Sequence, residues 1–273
     1  MKKIIIGCFC TMLLLILGCA TNNITTQDSY GVLLGVNPED AAILTNYKTV
    51  VVDAQYFTKD EIAAVQAKGT VVYTYLNIGS IETFRTGYDD LKRFSLAPYE
   101  NWPDEYWMDV SRAEWQSFIA DEAAVLAQKG VDGFFLDNAD VYYLYPTPGI
   151  FNGLTAILQS LAQYGKPILI NGGDVFVTKA VLDATSPLEA VTGVNQECVF
   201  TSINFDSGTF TRQDSENSQY YQDYLLRCKA AGLDVYLTEY ATKNNSVENE
   251  IKQFCEKNAF FYYVSHSINL DGK

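Results

Sequence analysis

The side chains of this chain that could do chemistry are acids and amides placed at the ends of short apolar runs. Asp53 follows Thr49–Val52, Asn77 follows Thr70–Leu76, and Asp137 follows Gly133–Leu136, with Asn138 and Asp140 close behind. Asn171 ends Pro167–Ile170, Glu197 stands two residues past Asn195, and Glu239 and Tyr240 follow Asp234–Thr238. Charged groups are rarely buried unless paired or functional, so their repeated appearance straight after buried runs points to a shared polar site. Two such carboxylates suffice to hydrolyse a glycosidic bond, one protonating the leaving oxygen and the other acting from the opposite side of the ring. Asp137, driven straight off the apolar run Gly133–Leu136, is the hardest of these acids to read as merely structural. Asn77 and Asn171 do not titrate and would hydrogen-bond neighbours or a ligand. Plainer roles stand beside these: Asp53 and Asp140 as helix caps, Glu197 as a solvated acid. His266 is the only histidine, which excludes a His-based triad and multi-histidine metal sites. A hard-cation site on Asp53, Asp137 and Asp140 is a rival reading, but no metal or other cofactor is implied.

Such residues need elements that bring them together. Strand-like runs occur at Gly31–Leu34, Thr49–Asp53, Thr70–Asn77, Gly133–Asp137, Pro167–Asn171, Ala190–Asn195, Asp234–Thr238 and Phe260–Val264. Amphipathic stretches lie between them: Lys59–Lys68, Ala113–Gly130, Ile150–Tyr164, Ser218–Ala231 and Val247–Asn258. Gly69, Gly130, Gly165 and Gly232 punctuate the passage from helix to strand, as left-handed C-caps do. Near-continuous apolar strands alternating with helices imply a parallel sheet covered on both faces, and eight such units predict an α/β fold, a single (β/α)8 TIM barrel. An open doubly wound sheet is the runner-up; it would want a Gly-rich phosphate loop after an early strand, and none is present. In a barrel the C-terminal strand ends share one mouth. The segment from Asn77 to about Arg112 is long and carries Arg85, Trp102, Tyr106, Trp107 and Asp109; it reads as a wall or lid over that mouth. Tyr56, Phe57, Tyr75, Trp107, Tyr142, Tyr143, Tyr145 and Tyr240 lie near strand ends or in loops. Flat rings rimmed by hydroxyls and carboxylates suit sugars, although core packing claims some of them, Tyr75 among these.

The N-terminus predicts export. Lys2 and Lys3 precede an apolar run, Ile4–Leu17, and Gly18-Cys19 follows. The run is too short to span a bilayer and reads as a signal. Cysteine at the cleavage point is the bacterial lipoprotein arrangement, with Cys19 lipidated. The expected organisation is a signal over residues 1–18, a lipidated tether over 19–29 and a barrel over 30–273, held in the cell envelope through its lipid and monomeric. Net charge is −14, or −16 once Lys2 and Lys3 are removed. That balance disfavours nucleic acid and favours a cationic ligand, though solubility alone is the more common reason for it. Cys198, Cys228 and Cys255 would remain in the barrel; Cys228 and Cys255 could pair in an oxidising compartment.

Five stretches together resemble glycoside hydrolase family 114, the endo-α-1,4-polygalactosaminidase-like barrels. The most specific is Gly130–Asn138 with Asp140. The others are Asn77–Glu82 through Arg85, Tyr106–Val110, Val194–Glu197 and Val235–Tyr240. The resemblance implies a (β/α)8 barrel that cleaves α-1,4-linked galactosamine-rich polysaccharide, with Asp137 and Glu197 as catalytic pair. In a retaining scheme Asp137 would be the nucleophile and Glu197 the acid/base with a raised pKa. Asp53, Asn77, Arg85, Trp107, Asn138, Asp140, Asn171, Glu239 and Tyr240 would bind substrate. Two positions depart from the family pattern: an acid is commoner where Ser80 stands, and Asp is commoner than Glu at position 239. The alternative function is a non-catalytic carbohydrate-binding lipoprotein on the same barrel.

Overall fold

The apolar runs form strands. In the computed structural model, which describes residues 28–185 and 188–272, they are β1 (Asp28–Val32), β2 (Tyr47–Val52), β3 (Val71–Asn77), β4 (Gly133–Asp137), β5 (Ile168–Asn171), β6 (Gly193–Glu197), β7 (Asp234–Tyr240) and β8 (Phe261–Ser265). All neighbours are parallel and their order around the sheet is their order in the chain. The first and last strands lie against each other, so the sheet is nearly closed, as a (β/α)8 barrel requires. Side chains such as Val50, Val51, Phe134, Leu136, Ile168 and Ile170 are fully or almost fully buried, the signature of strands covered on both faces. Cys19, the signal and most of the tether lie outside the described residues; β1 begins at Asp28, inside the stretch assigned to the tether. Among the described residues no helix is long and apolar enough to cross a membrane.

The main helices are α1 (Lys59–Gln66), α2 (Ala113–Gln128), α3 (Pro148–Ala162), α4 (Ser215–Ala230) and α5 (Val247–Asn258). Their starts are encoded locally. Thr58 and Glu61 form a capping box on α1, Thr147 caps α3 ahead of Pro148, and Asp214 caps α4. Cys228 on α4 and Cys255 on α5 are buried and unbonded, so they do not pair.

Two strand ends run further than the sequence reading placed them: β6 continues to Glu197 and β7 to Tyr240, because Thr238 pairs with Glu197 and Tyr240 with Ser265. Side chains alternate along a strand. Thr238 and Asn195 meet inside the barrel, so Glu197 and Tyr240, in step with them, face inward and Glu239 faces outward.

The long segment after β3 is itself ordered. Ser80–Glu82, Ser95–Pro98 and Glu105–Met108 form an antiparallel sheet with Glu105–Met108 in the middle. A second insertion, the hairpin Thr201–Asn204/Thr209–Arg212, rises after β6; the sequence reading did not anticipate it.

Candidate active site

Asp137 and Glu197 converge on one amide. Asn171 Nδ2 donates to Asp137 Oδ1 at 2.9 Å and to Glu197 Oε1 at 2.8 Å. Those two oxygens can be no farther apart than the sum of these lengths. The two acids are therefore close enough to act on a single glycosidic bond.

The bridge is oriented from below. Asn195 Oδ1 accepts from Tyr30 Oη and Thr238 Oγ1, both at 3.1 Å. Its oxygen is therefore fixed, and its Nδ2 donates to Asn171 Oδ1 at 2.7 Å. That in turn leaves the Asn171 NH2 facing the acids. Buried amides with every group engaged hold one orientation.

Each acid has a further donor. Asn138 N donates to Asp137 Oδ1 at 3.0 Å, and Tyr240 Oη donates to Glu197 Oε2 at 2.7 Å. Among the described residues nothing donates to Asp137 Oδ2. Burial, then the neighbouring Glu197 charge, push the Asp137 carboxyl up to about 8. The sequence reading placed the raised acid on β6; the structure places it on β4, where Glu105 and Asp140 add their charges to that of Glu197.

Asp137 is also held from the side. Asn138 has φ 67°, which asparagine tolerates, and its Nδ2 donates to Ser80 Oγ, Glu105 Oε1 and Asn77 Oδ1 at 2.6, 2.9 and 3.2 Å. Asn77 Nδ2 and Ser80 Oγ also donate to Glu105 Oε1. Gly79 closes this knot: a Cβ there would lie 1.8 Å from the Asn138 carbonyl oxygen. Glu105 reaches this cluster, Ser80 included, from the middle strand of the small sheet.

Several residues expected to bind substrate are engaged by partners within the protein. Asn77 and Asn138 spend their side chains on this cluster. Asp53 caps a short turn through Gln55 N and pairs with Arg85 at 2.8 Å. Arg85 also pairs with Glu82 at 3.0 Å and donates to Gln55 Oε1. The cavity beside them is about 20 Å³, lined by Tyr75, Trp115 and Phe118 among others, room for one water and not for a sugar. Asp53 is thus engaged by Arg85 and Gln55, and among the described residues no three His, Cys, Asp or Glu groups gather as metal ligands.

Glu239 faces outward and is fully buried. Its oxygens accept from the backbone N–H of Val199, Phe200 and Thr201 and from Thr201 Oγ1, so it anchors the base of the second hairpin. Burial raises its carboxyl against those donors. Trp107 is buried with its face covered by Tyr99, centroids 4.4 Å apart and planes 19° apart. Tyr240 is almost buried and holds Glu197. Asp140 Oδ1 accepts from Gly173 N at 3.1 Å, joining the loops after β4 and β5 instead of capping a helix through its side chain. Burial raises its carboxyl to about 6. As expected, Tyr75 is core.

Glu105 and Tyr99 were missed. Burial raises the Glu105 carboxyl. Burial also raises the Tyr99 hydroxyl, and the charges of Asp137, Asp140, Glu105 and Glu197 add to the rise. The density of aromatic and acidic residues from Tyr99 to Trp107 is the available signal.

The model of glycoside hydrolase family GH114 matches residues 19–272. The glycoside hydrolase domain of PelA from Pseudomonas aeruginosa superposes with TM-score 0.76 at 19% identity, over 89% of this chain and 96% of that one. Ega3 of Aspergillus fumigatus, solved in complex with galactosamine, superposes with TM-score 0.69 at 17% identity, over 90% and 94%. The α-galactosidase TtGalA of Thermus thermophilus is more distant, with TM-score 0.58 at 10% identity, over 87% of this chain and 57% of that one. A search of curated proteins by sequence finds no match.

Proposed function

Because the chain belongs to glycoside hydrolase family GH114, we propose that it cleaves α-1,4-linked galactosamine-rich polysaccharide with Asp137 and Glu197, retaining the anomeric configuration. The observation that carries this reading is the single Asn171 amide bonded to both acids, which supports a double-displacement mechanism because that mechanism needs its two carboxyl groups close together.

Asp137 is the nucleophile. Its Oδ1 is held by Asn138 N and Asn171 Nδ2, which leaves Oδ2 to attack the anomeric carbon. Glu197 protonates the departing glycosidic oxygen and then takes a proton from the water that hydrolyses the glycosyl-enzyme. The first step requires one proton on the pair, carried by the acid that delivers it to the leaving oxygen. Reaction proceeds when that proton lies on Glu197 and Asp137 is ionised.

A cationic sugar fits the surroundings. Glu105 and Asp140 add negative charge beside the pair, and a deacetylated galactosamine carries a compensating ammonium. The galactosamine bound to Ega3 supports this substrate class. Lipidation at Cys19 would hold the barrel at a membrane surface of the cell envelope, where extracellular polysaccharide is met. Proton NMR of the first product settles the stereochemistry: the α-anomer appearing first supports the mechanism, and the β-anomer appearing first opposes it.

A further inference from the structure

Trp102 and Phe205 are exposed, at 44% and 39%, yet their rings touch edge to face, centroids 5.9 Å apart. They come from different insertions. Trp102 lies in the turn between Ser95–Pro98 and Glu105–Met108, after β3; Phe205 lies in the turn between Thr201–Asn204 and Thr209–Arg212, after β6. Strands three places apart in an eight-stranded ring stand on different sides of the mouth, so the two tips meet across it.

Both hairpins are rooted in the site. Trp102 O accepts from Glu105 N at 3.0 Å, and Trp102 is three residues from Glu105, no more than about 11 Å of chain. Tyr99, in the same turn, stacks on Trp107, and Glu105 accepts from Asn138, the neighbour of Asp137. On the other side Phe210 packs on Tyr240, centroids 5.8 Å apart, and Tyr240 donates to Glu197. The outer contact therefore lies above the pair, with a wall of each hairpin running down to it.

Exposed aromatics joined across a cleft are seldom idle, and flat rings present the surface on which the C–H face of a sugar packs. We infer that Trp102 and Phe205 form an aromatic clasp that parts to admit the polysaccharide and stacks on sugar units away from the scissile bond. The clasp makes the protein prefer long chains to short ones. This rests on the hydrolase reading for the identity of the chain it grips, and it is tested on affinity as well as on turnover.

The experiment compares wild type with Trp102→Ala, Phe205→Ala and the double variant, using deacetylated α-1,4-galactosaminan and a short chromogenic galactosaminide. Calorimetric Kd and KM for the polymer are expected to rise about three- to tenfold in each single variant. The double variant should lose less than the product of the two, since the rings act together. kcat/KM for the short substrate should stay within about twofold. Unchanged polymer affinity, equal losses on both substrates, or wild type that fails to bind polymer would overturn the clasp. Wild type that binds polymer with the expected Trp102 and Phe205 dependence but never cleaves it would sink the hydrolase reading alone and leave the clasp supported.

Discussion

Asp137 and Glu197 receive hydrogen bonds from the same nitrogen, Nδ2 of Asn171, at 2.9 and 2.8 Å. One uncharged donor thus sets the distance between two acids that would otherwise repel, and Asn195, Tyr30 and Thr238 decide which way that donor points.

Asn171→Ala should therefore damage catalysis more than folding. Hydrogen bonds to charged groups are worth about 1.5–3 kcal/mol, so kcat is expected to fall about ten- to a hundredfold with Tm little changed. Asn171→Asp should be worse, because a third acid raises the proton affinity of the pair. Steady-state kinetics and thermal melts check both; an Asn171→Ala enzyme with full kcat contradicts the bridging role.

The roles of the two acids separate with a small nucleophile. In Asp137→Ala, azide should enter from the face the carboxylate has vacated and yield the β-glycosyl azide. In Glu197→Ala, azide should attack the glycosyl-enzyme and yield the α-azide from a substrate with a good leaving group. Mass spectrometry and NMR of the products distinguish them, and exchanged outcomes would reverse the assignment.

Stability should fall as pH rises. Asp137 is pushed up to about 8 and Asp140 to about 6, against about 3.9 for an unfolded Asp. Between those values the folded state binds more protons than the unfolded one, so stability declines with pH. The contribution is full below about pH 4 and is lost by about pH 8. Tm measured across that range should slope downward, and Asp137→Asn should flatten the upper part of the slope.

How far the site could be read in advance depended on strand register. The strands were visible because β-branched and aromatic runs buried on both faces differ sharply from the helices between them, and Asp137 was visible because such a run delivers it. Glu239 and Tyr240 are neighbours, but they face opposite sides of the sheet. Which one turns inward depends on where β7 ends, and its pairing with β8 decides that. Asp53 and Arg85 looked like ligands because each is polar and near a strand end; their mutual pairing joins residues 32 apart, which no local pattern encodes. Glu105 and Tyr99 were hidden because the small sheet after β3 reads as a long loop.

Arg85→Met tests whether the Asp53–Arg85 pairing is structural. It leaves Asp53 and Glu82 buried without their cation, a loss of about 3–5 kcal/mol. Tm should drop, while KM for polymer in the folded fraction stays near wild type. A raised KM with unchanged Tm would return Arg85 to the substrate-binding residues.

Gly79→Ala should be among the most damaging small substitutions. Its Cβ would overlap the Asn138 carbonyl oxygen, and backbone cannot yield there without moving Asp137. Poor soluble yield or a large fall in Tm is expected; a variant with wild-type Tm would mean that the Asn77–Ser80–Glu105–Asn138 cluster is slack.

The most direct test of the account is a reducing-end assay on deacetylated α-1,4-galactosaminan with wild type, Asp137→Asn and Glu197→Gln. Wild type is predicted to release reducing ends, and each variant, folded with its own Tm recorded, to lose at least about a thousandfold in rate, the scale of removing a nucleophile or a general acid. Release of reducing ends by either variant within tenfold of wild type, or none by wild type, would contradict it.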